Sequence, residues 1–386
     1  MNQQNQQQNQ QQPTADNLPF PYMVDLFSQF SIPGQLVDVQ EHGSGLINQT
    51  FLITAQETQQ AMHQSRRYIF QKLNTHVFQN AEGLMQNIAQ VTQHIRTKLL
   101  ARGVADVERR VLSLVPLAWD HKAFFLEHPV WGTWRVYHFI ENAISYDILQ
   151  TPEQAFIAAK AMGEFQALLA DYAGKPLTET IPNFHHTLQR MEKFQAAIAA
   201  DACGRAAQVQ QEIAFVLERK ALAGSLLSLH EAGKIPLRIT HNDTKINNVM
   251  IDQETGEGLC MIDLDTVMPG LSLYDFGDMV RTACNPGAED AIDVAQLCAR
   301  KDVFLALARG YLQGTAGALL PIEIENLSKA GQLLSFECGM RFLTDYLEGD
   351  HYFKIKHPQH NLDRARNQFA MVKSLEEQEQ DFMRGL

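Results

Sequence analysis

A short polar segment, HNDTKINN at residues 241–248, has the residue types of a phosphoryl-transfer site at the spacing H-x-D-x-x-x-x-N. Strand-like apolar residues flank it, which places the polar residues in a loop. Asp243 would accept the proton of an acceptor hydroxyl, Asn248 would turn back to bind a metal ion, and His241 would hold the loop by hydrogen bonds. The alternative is a polar β-turn in which this spacing occurs by chance.

A second acidic segment follows at a suitable distance. Residues 259–265, LCMIDLD, form an apolar run that ends in two carboxylates, and Asp263 lies fifteen residues after Asn248. A strand that delivers an Asp near the catalytic loop meets the oxygen-ligand requirement of Mg²⁺. We therefore predict that Asn248 and Asp263 bind the metal and that Asp265 supports it or contacts the substrate. The alternative is a pair of solvated acids at the end of a strand.

A glycine-containing turn and a lysine suit the phosphates of a nucleotide. Gly43 and Gly45 interrupt two strand-like runs, and glycines let backbone N–H groups approach phosphate closely. Lys72 lies on the third strand pattern, where it could meet the α- and β-phosphates. A plain hairpin turn and a solvated edge charge are the alternatives. Glu82 is the only acid between residues 77 and 105, and its position near a helix start makes it a poor partner for Lys72.

Composition narrows the class of protein. The chain of 386 residues carries 32 basic and 44 acidic side chains, a net charge of −12, which argues against nucleic acid as a partner. Its five cysteines occur singly, which favours reduced thiols in a cytoplasmic protein. The sequence contains no run of about eighteen apolar residues, so no membrane span is predicted. The Gln-rich residues 1–17 predict a disordered tail and lack the features of a signal peptide.

Periodicity predicts an α+β protein with two lobes. The amino lobe, residues 18–142, would be a β-rich nucleotide-binding sheet with one main helix. The carboxy lobe, residues 143–386, would be mostly helical and would contain the catalytic loop and the substrate-binding helices. The predicted strands are 36–40, 49–54, 67–73, 111–116, 123–127, 134–140, 238–240, 248–252 and 258–263. The predicted helices are 81–100, 152–170, 206–232, 289–316 and 322–348.

These segments together resemble the aminoglycoside phosphotransferase and choline kinase superfamily, and within it the N-acetylhexosamine 1-kinases. The resemblance covers nearly everything after the Gln-rich tail. It is carried by GSGLINQTF (43–51), YIFQKLN (68–74), WRVYHFIEN (134–142), HNDTKINNVMID (241–252), MIDLDTVMPG (261–270), YDFGDMVR (274–281) and GMRFLTDYLEGDHYFKI (339–355).

The resemblance implies a bilobal protein-kinase-like fold, ATP and Mg²⁺, and transfer to the anomeric hydroxyl of N-acetylglucosamine or N-acetylgalactosamine, a small-molecule sugar. It makes Asp243 the base, Asn248 and Asp263 the metal ligands and Lys72 a phosphate ligand. It also assigns the adenine-lining hinge to Phe139, Ile140 and Glu141, and sugar contacts to Arg341 and Tyr352. From spacing alone, Arg341 could instead pair with Asp345 along a helix.

One departure concerns the acceptor. The family's loop usually reads G-H-I-N-D-T, with the histidine expected to reach the sugar, whereas residues 45–50 here read GLINQT. Leu46 cannot donate a hydrogen bond, and Gln49 lacks the acidic charge. The alternatives are therefore another small hydroxyl acceptor, such as a hexose, an aminoglycoside or an amino alcohol, or a nucleotide- or sugar-binding protein without turnover.

Overall fold

A computed structural model describes residues 20–43, 47–59, 62–294 and 297–386. The predicted tail at residues 1–17 and the loop residues Gly45 and Leu46 lie outside these ranges. The described chain divides into two compact units. The first contains the residues up to Met85 together with Leu112–Glu141, and the second contains Gln86–Val111 and Asn142–Leu386.

The first unit is built on an antiparallel sheet of five strands in the order β1-β2-β3-β5-β4. Its elements are α1 (Tyr22–Ser28), β1 (Gln35–Glu41), β2 (Gln49–Gln59), β3 (Met62–Lys72), β4 (Phe125–His128) and β5 (Gly132–His138). The hairpin and third strand predicted from the sequence are confirmed. The predicted strand at 111–116 is wrong: Leu114 forms only an isolated bridge with Tyr137. Pro116 lacks the N–H that would extend a ladder there.

Alternating side chains explain why this sheet has a buried face. Tyr68 and Phe70 are two residues apart on β3 and are fully buried, as the period of two requires. Phe27 and Phe30, from α1 and the turn after it, pack on Phe70 at ring distances of 6.4 and 5.6 Å. Burying an aromatic ring of this size stabilises the fold by about 1.5–3 kcal/mol.

The second unit is mostly helical, with two small antiparallel sheets, β10-β7 and β6-β8-β9. Its helices, counting α2 (Ala81–Ala101), which begins in the first unit, are α3 (Val107–Arg110), α4 (Pro152–Leu169), α5 (Thr187–Ala200), α6 (Gln210–Glu218), α7 (Lys220–Ala223), α8 (Ser225–Glu231), α9 (Ser272–Ala283), α10 (Lys301–Gly314), α11 (Pro321–Glu325), α12 (Leu327–Glu348) and α13 (His360–Arg384). Its strands are β6 (Ala143–Ile144), β7 (Arg238–Thr240), β8 (Val249–Asp252), β9 (Gly258–Met261) and β10 (Met268–Gly270).

Several predicted helices are shorter than the sequence pattern indicated. The stretch 206–232 contains three short helices, because the backbone leaves helical geometry at Arg219 and Gly224 lies between the last two. The stretch 289–316 is helical only from Lys301, and 322–348 is divided at Asn326. Residues 86–111, expected in the amino lobe, belong to the second unit. The predicted α+β class is confirmed.

Helix α9 lies against α12 at very short range. A Cβ atom added at Gly277 would lie 2.4 Å from the carbonyl oxygen of Ala330. This contact therefore requires glycine, because any side chain would force the two backbones apart. It also fixes the helix that carries Asp275, Asp278 and Arg281. In the described part of the chain, no helix is both long enough and apolar enough to span a membrane.

Candidate active site

His241 is buried in the loop that follows β7 and is held there by hydrogen bonds. Its Nε2 lies 2.9 Å from the carbonyl oxygen of Ile262, and its Nδ1 lies 3.3 Å from the backbone nitrogen of Asp243. The carbonyl can only accept and the N–H can only donate, so the ring is the neutral tautomer protonated at Nε2. The imidazole therefore sets the conformation of Asp243 through the backbone.

No role was predicted for Asp275, yet this residue organises the loop. Its carboxylate accepts hydrogen bonds from the backbone N–H groups of His241 and Asn242 at 3.1 and 2.7 Å and from Gln166 at 2.6 Å. Its own carbonyl accepts from Thr244 at 2.5 Å. Burial raises the pKa of Asp275 above its ordinary value, although these donors oppose the shift. The local signal was only an Asp within a long apolar segment.

Backbone geometry turns the loop just before Asp243. Asn242 has a left-handed conformation with φ +64°, which asparagine tolerates better than most residues. Its side chain accepts a hydrogen bond from Thr240 at 2.9 Å and donates one to the carbonyl of Thr266 at 2.9 Å. These bonds hold the strained residue in place. The direction of Asp243 is therefore determined before any substrate binds.

Asp243 and Lys245, two residues apart in the loop after β7, form an ion pair. Lys245 Nζ lies 3.0 Å from Asp243 Oδ1 and 3.1 Å from Oδ2. Burial by itself would raise the pKa of Asp243, but the Lys245 ammonium outweighs it and the pKa lies below its ordinary value. The carboxylate in turn raises the pKa of Lys245. Asp243 is thus ionised at neutral pH, as a base must be.

Hydrogen bonds hold Asn248, and Ile262 just before Asp263, against the same loop. Asn248 Nδ2 donates to the carbonyl of Asp243 at 2.8 Å, so Oδ1 is the amide atom left to bind a cation. The backbone nitrogen of Ile262 donates to the carbonyl of Asn248 at 2.9 Å, and Asp263 follows directly with φ +58°. Asp263 is exposed, whereas Asp265 is buried.

The oxygen donors of Asn248 and Asp263 fit a hard divalent cation such as Mg²⁺. Among the described residues, no three His, Cys, Asp or Glu side chains form a metal cage. Mg²⁺ does not require one, since it commonly uses one or two protein oxygens together with water and substrate phosphates. The roles of both residues stay predictions.

A second charged group lies close enough to influence the loop. Arg281 on α9 donates to Asp278 at 2.7 Å and to Glu289 at 2.5 Å. The charge of Arg281 contributes to the lowered pKa of Asp243, and that of Asp278 to the raised pKa of Lys245. Charges of alternating sign therefore surround the candidate base, an arrangement that the sequence motifs did not indicate.

The pairing considered for Arg341 and Asp345 does not occur. Asp345 instead accepts hydrogen bonds from the backbone nitrogens of residues 351–353 at 2.8–2.9 Å, which closes the turn after α12. Arg341 makes no ion pair or hydrogen bond with any described residue, and its guanidinium lies 5.8 Å from the Tyr352 ring. Tyr352 is 58% exposed. Arg341 and Tyr352, to which the resemblance assigns sugar contacts, are thus available to a ligand.

The nucleotide-binding residues predicted in the first unit are described by themselves. Gly43 has φ +78°. Lys72, at the end of β3, extends over Gly132, whose added Cβ would lie 2.9 Å from Lys72 Cε. Lys72 makes no ion pair with an acid in the described ranges, so a glutamate partner is not found there.

The segment predicted as the hinge lies at the end of the first unit and is held by Arg67. Its guanidinium lies 4.1 Å from the centroid of the Phe139 ring and pairs with the Glu141 carboxylate through both oxygens. Ile140 is buried between these two residues in the chain. The Glu141 side chain is therefore occupied, and a nucleotide base would meet this segment through its backbone.

Comparison with known proteins identifies the family. The model of the phosphotransferase enzyme family matches residues 38–311 of this chain. That range is about seven tenths of the sequence and includes the candidate catalytic loop, the Asp263 segment and α9.

Solved structures with the same fold include three small-molecule kinases. A spectinomycin phosphotransferase, solved with ADP and spectinomycin, has a TM-score of 0.56 at 12% identity and covers 94% of this chain and 99% of its own. A microcompartment-associated aminopropanol kinase has a TM-score of 0.56 at 14% identity, with coverages of 93% and 97%. Choline kinase from Cryptosporidium parvum has a TM-score of 0.53 at 14% identity and covers 96% of this chain and 95% of its own. The predicted protein-kinase-like fold is confirmed.

Proposed function

Since this chain belongs to the phosphotransferase enzyme family, we propose that it transfers the γ-phosphate of ATP to the anomeric hydroxyl of an N-acetylhexosamine. The proposed acceptors are N-acetylglucosamine and N-acetylgalactosamine, and the proposed product is a sugar 1-phosphate. The observation that carries the proposal is the construction of the loop around Asp243: a carboxylate kept ionised by Lys245 and oriented by His241 and Asp275.

Asp243 would receive the acceptor proton while the oxygen that loses it attacks the γ-phosphorus in line with the departing ADP. Because phosphoryl transfer needs little covalent help, the protein contributes position and charge. A magnesium ion held by Asn248 and Asp263 would neutralise phosphate charge. Lys245 must leave the carboxylate oxygen that takes the proton, and its ammonium would then be available to phosphate oxygens. Lys72 would serve the α- and β-phosphates.

The acceptor residues favour a sugar over an amino alcohol or an aminoglycoside. The Arg341 guanidinium lies 5.8 Å from Tyr352 without a described carboxylate partner, so it would repel an ammonium group. Its planar donors and the Tyr352 hydroxyl suit the acetamido carbonyl and the hydroxyls of an N-acetylhexosamine. The relatives named above for spectinomycin, aminopropanol and choline share the fold at identities of only 12–14%.

The test is phosphate transfer from ATP to a panel of sugars and amino alcohols, with product analysis by ³¹P NMR. We expect a phosphate on C1 of an N-acetylhexosamine, and this product should be labile in acid. Phosphate on C6, or turnover only of amino alcohols, would contradict the proposed acceptor. ATP and sugar binding without any turnover would favour a non-catalytic binding protein.

A further inference from the structure

Two arginines from different helices meet around one aromatic residue in the second unit. Arg190 on α5 donates a hydrogen bond to the carbonyl oxygen of Phe184 at 3.0 Å. Arg341 on α12 lies 5.9 Å from the ring centroid of the same Phe184. Arg341 also lies 5.8 Å from the ring centroid of Tyr352 and 5.6 Å from that of Phe353. The two guanidinium groups thus share one part-buried, aromatic-walled position.

The protein balances the charge in this position only in part. Neither Arg190 nor Arg341 forms an ion pair with an acid in the described part of the chain, and Arg190 Nε is buried without a hydrogen-bond partner. Partly buried charges are normally paired, because desolvation without compensation is costly. Burial, followed by the neighbouring charge of Arg341, lowers the pKa of Arg190, although Glu337 and Tyr352 oppose the shift. The fold therefore retains two like charges at an energetic cost.

The carboxylate whose charge acts on both arginines, Glu337, is already engaged in other contacts. Glu337 on α12 lies 2.9 Å from His185 Nδ1 through Oε1 and accepts a hydrogen bond from Thr187 at 2.5 Å through Oε2. Burial would oppose charge on both members, but each charge favours the other: the pKa of His185 is raised and that of Glu337 is lowered. With His185 protonated, Glu337 neutralises the histidine, and the arginines keep their net positive charge.

The same histidine places the cluster beside the candidate base. His185 Nε2 lies 2.9 Å from the carbonyl oxygen of Asn242, the residue before Asp243. The turn that carries Tyr352 is closed by Asp345, whose carboxylate also accepts from Asn361 at 2.9 Å. The arginines and the aromatic wall are thus fixed on the same part of the second unit as the group that would receive the acceptor proton.

We propose that Arg190 and Arg341 together bind an oxyanion on the acceptor, so that the preferred substrate is an N-acetylhexosamine bearing a carboxylate or a phosphate group. The planar fork of each guanidinium suits either oxyanion. Arg190 is then a specificity-determining residue for the reaction. This inference rests on the proposed function, since it assumes that the ligand beside Asp243 is the acceptor.

The experiment compares matched acceptors in the full-length protein. N-acetylglucosamine is assayed beside derivatives with a carboxylate at C3 or C6, their neutral methyl esters, and the 6-phosphate, at saturating MgATP. The variants are Arg190→Gln and Arg190→Lys, with Lys193→Gln as the control. Lys193 is a cation on the same helix whose ion pair with Glu348 is solvent-exposed. Thermal unfolding of each variant checks that it is folded, and calorimetry measures sugar binding without turnover.

We expect at least one anionic acceptor to exceed its neutral partner roughly 10- to 100-fold in kcat/KM, the range typical of a charge-assisted hydrogen-bond pair. Arg190→Gln should remove that preference with little effect on the neutral sugar. Arg190→Lys should keep part of it, and Lys193→Gln should change nothing. A carboxylate preference without a phosphate preference, or the reverse, would identify the oxyanion.

Equal loss for neutral and anionic acceptors in Arg190→Gln would overturn the proposal, as would a wild-type preference for the neutral member of every pair. An increase in KM for ATP alone would assign the arginines to the donor and overturn it as well. If no sugar is turned over, calorimetry decides, and equal or absent binding of the anionic sugars counts against it. Phosphate on a hydroxyl other than the anomeric one would instead refute the proposed function and leave the anion preference standing.

Discussion

The candidate catalytic loop and the cluster of Arg190 and Arg341 are neighbours in the second unit, yet they are built on opposite principles. In the loop, the polar groups around Asp243 are satisfied by His241, Asp275 and Asn242. In the cluster, Arg190 and Arg341 have no anionic partner among the described residues, and Tyr352 is largely exposed. The loop is therefore complete without substrate, whereas the cluster needs a ligand to balance its charge. Catalysis requires a pre-set base, and recognition requires unsatisfied groups.

The largest effect should come from the base itself. Replacing Asp243 by Asn removes proton acceptance but keeps size and shape, so kcat should fall by about 10²- to 10⁴-fold. The measurement is steady-state phosphate transfer, with calorimetric binding of MgATP as the control that the site is intact. Undiminished activity would show that another group acts as the base. The loop would then no longer differ from the arginine cluster by holding a pre-set base.

The next effect tests whether the loop is held by Asp275. In Asp275→Asn, an amide N–H would face the backbone N–H of His241 or Asn242, and the lost hydrogen bonds should destabilise the protein by about 1–3 kcal/mol. We expect kcat to fall more than acceptor binding does, because Asp243 loses its orientation. Urea unfolding and a kcat-against-KM comparison measure the two effects. Asp381→Asn, at an exposed aspartate of α13, is the control and should leave both unchanged.

The His185–Glu337 pair makes stability depend on pH. The raised pKa of His185 stabilises the fold fully below its unfolded pKa of about 6.5, and this is lost as pH rises through the folded pKa. The lowered pKa of Glu337 adds stability above about pH 4.5 that is lost as pH falls through its folded pKa. His185→Gln should therefore destabilise more at pH 5.5 than at pH 9, in urea unfolding at both values. The exposed pair Lys193–Glu348 should contribute below about 0.5 kcal/mol at either pH.

The smallest effect is a displaced pH profile. Lys245 lowers the pKa of Asp243 against the effect of burial, so Lys245→Met should move the acid limb of kcat/KM to higher pH. Lys245→Arg keeps the charge and should leave the limb close to its wild-type position. An acid limb that does not move in Lys245→Met would mean that Asp243 is not the group titrating in the profile.

Sequence patterns predicted the parts whose signals are local. The hairpin, β3 and α2 follow from periods of two and 3.6 residues, and the superfamily prediction of a small-molecule kinase is confirmed. Helices α5, α9 and α13 were not predicted from the sequence. In α9 nearly every residue is buried, so no polar face reveals its period. The acceptor, the magnesium ligands and the lobe boundary near residue 142 stay predictions.

By itself, then, the sequence determined the α+β class, the family and a candidate base, because motif spacing and side-chain period are written within a few consecutive residues. Only the tertiary structure decided what surrounds that base. Asp275 reaches the loop from 34 residues away in the chain, and Glu337 reaches His185 from 152 residues away. No local pattern encodes such a meeting, since it depends on how α5, α9 and α12 pack. The charge of Arg190 is a further example. Tertiary packing places Arg341 near it and no ion-pair partner among the described residues, and neither fact can be read from the local sequence.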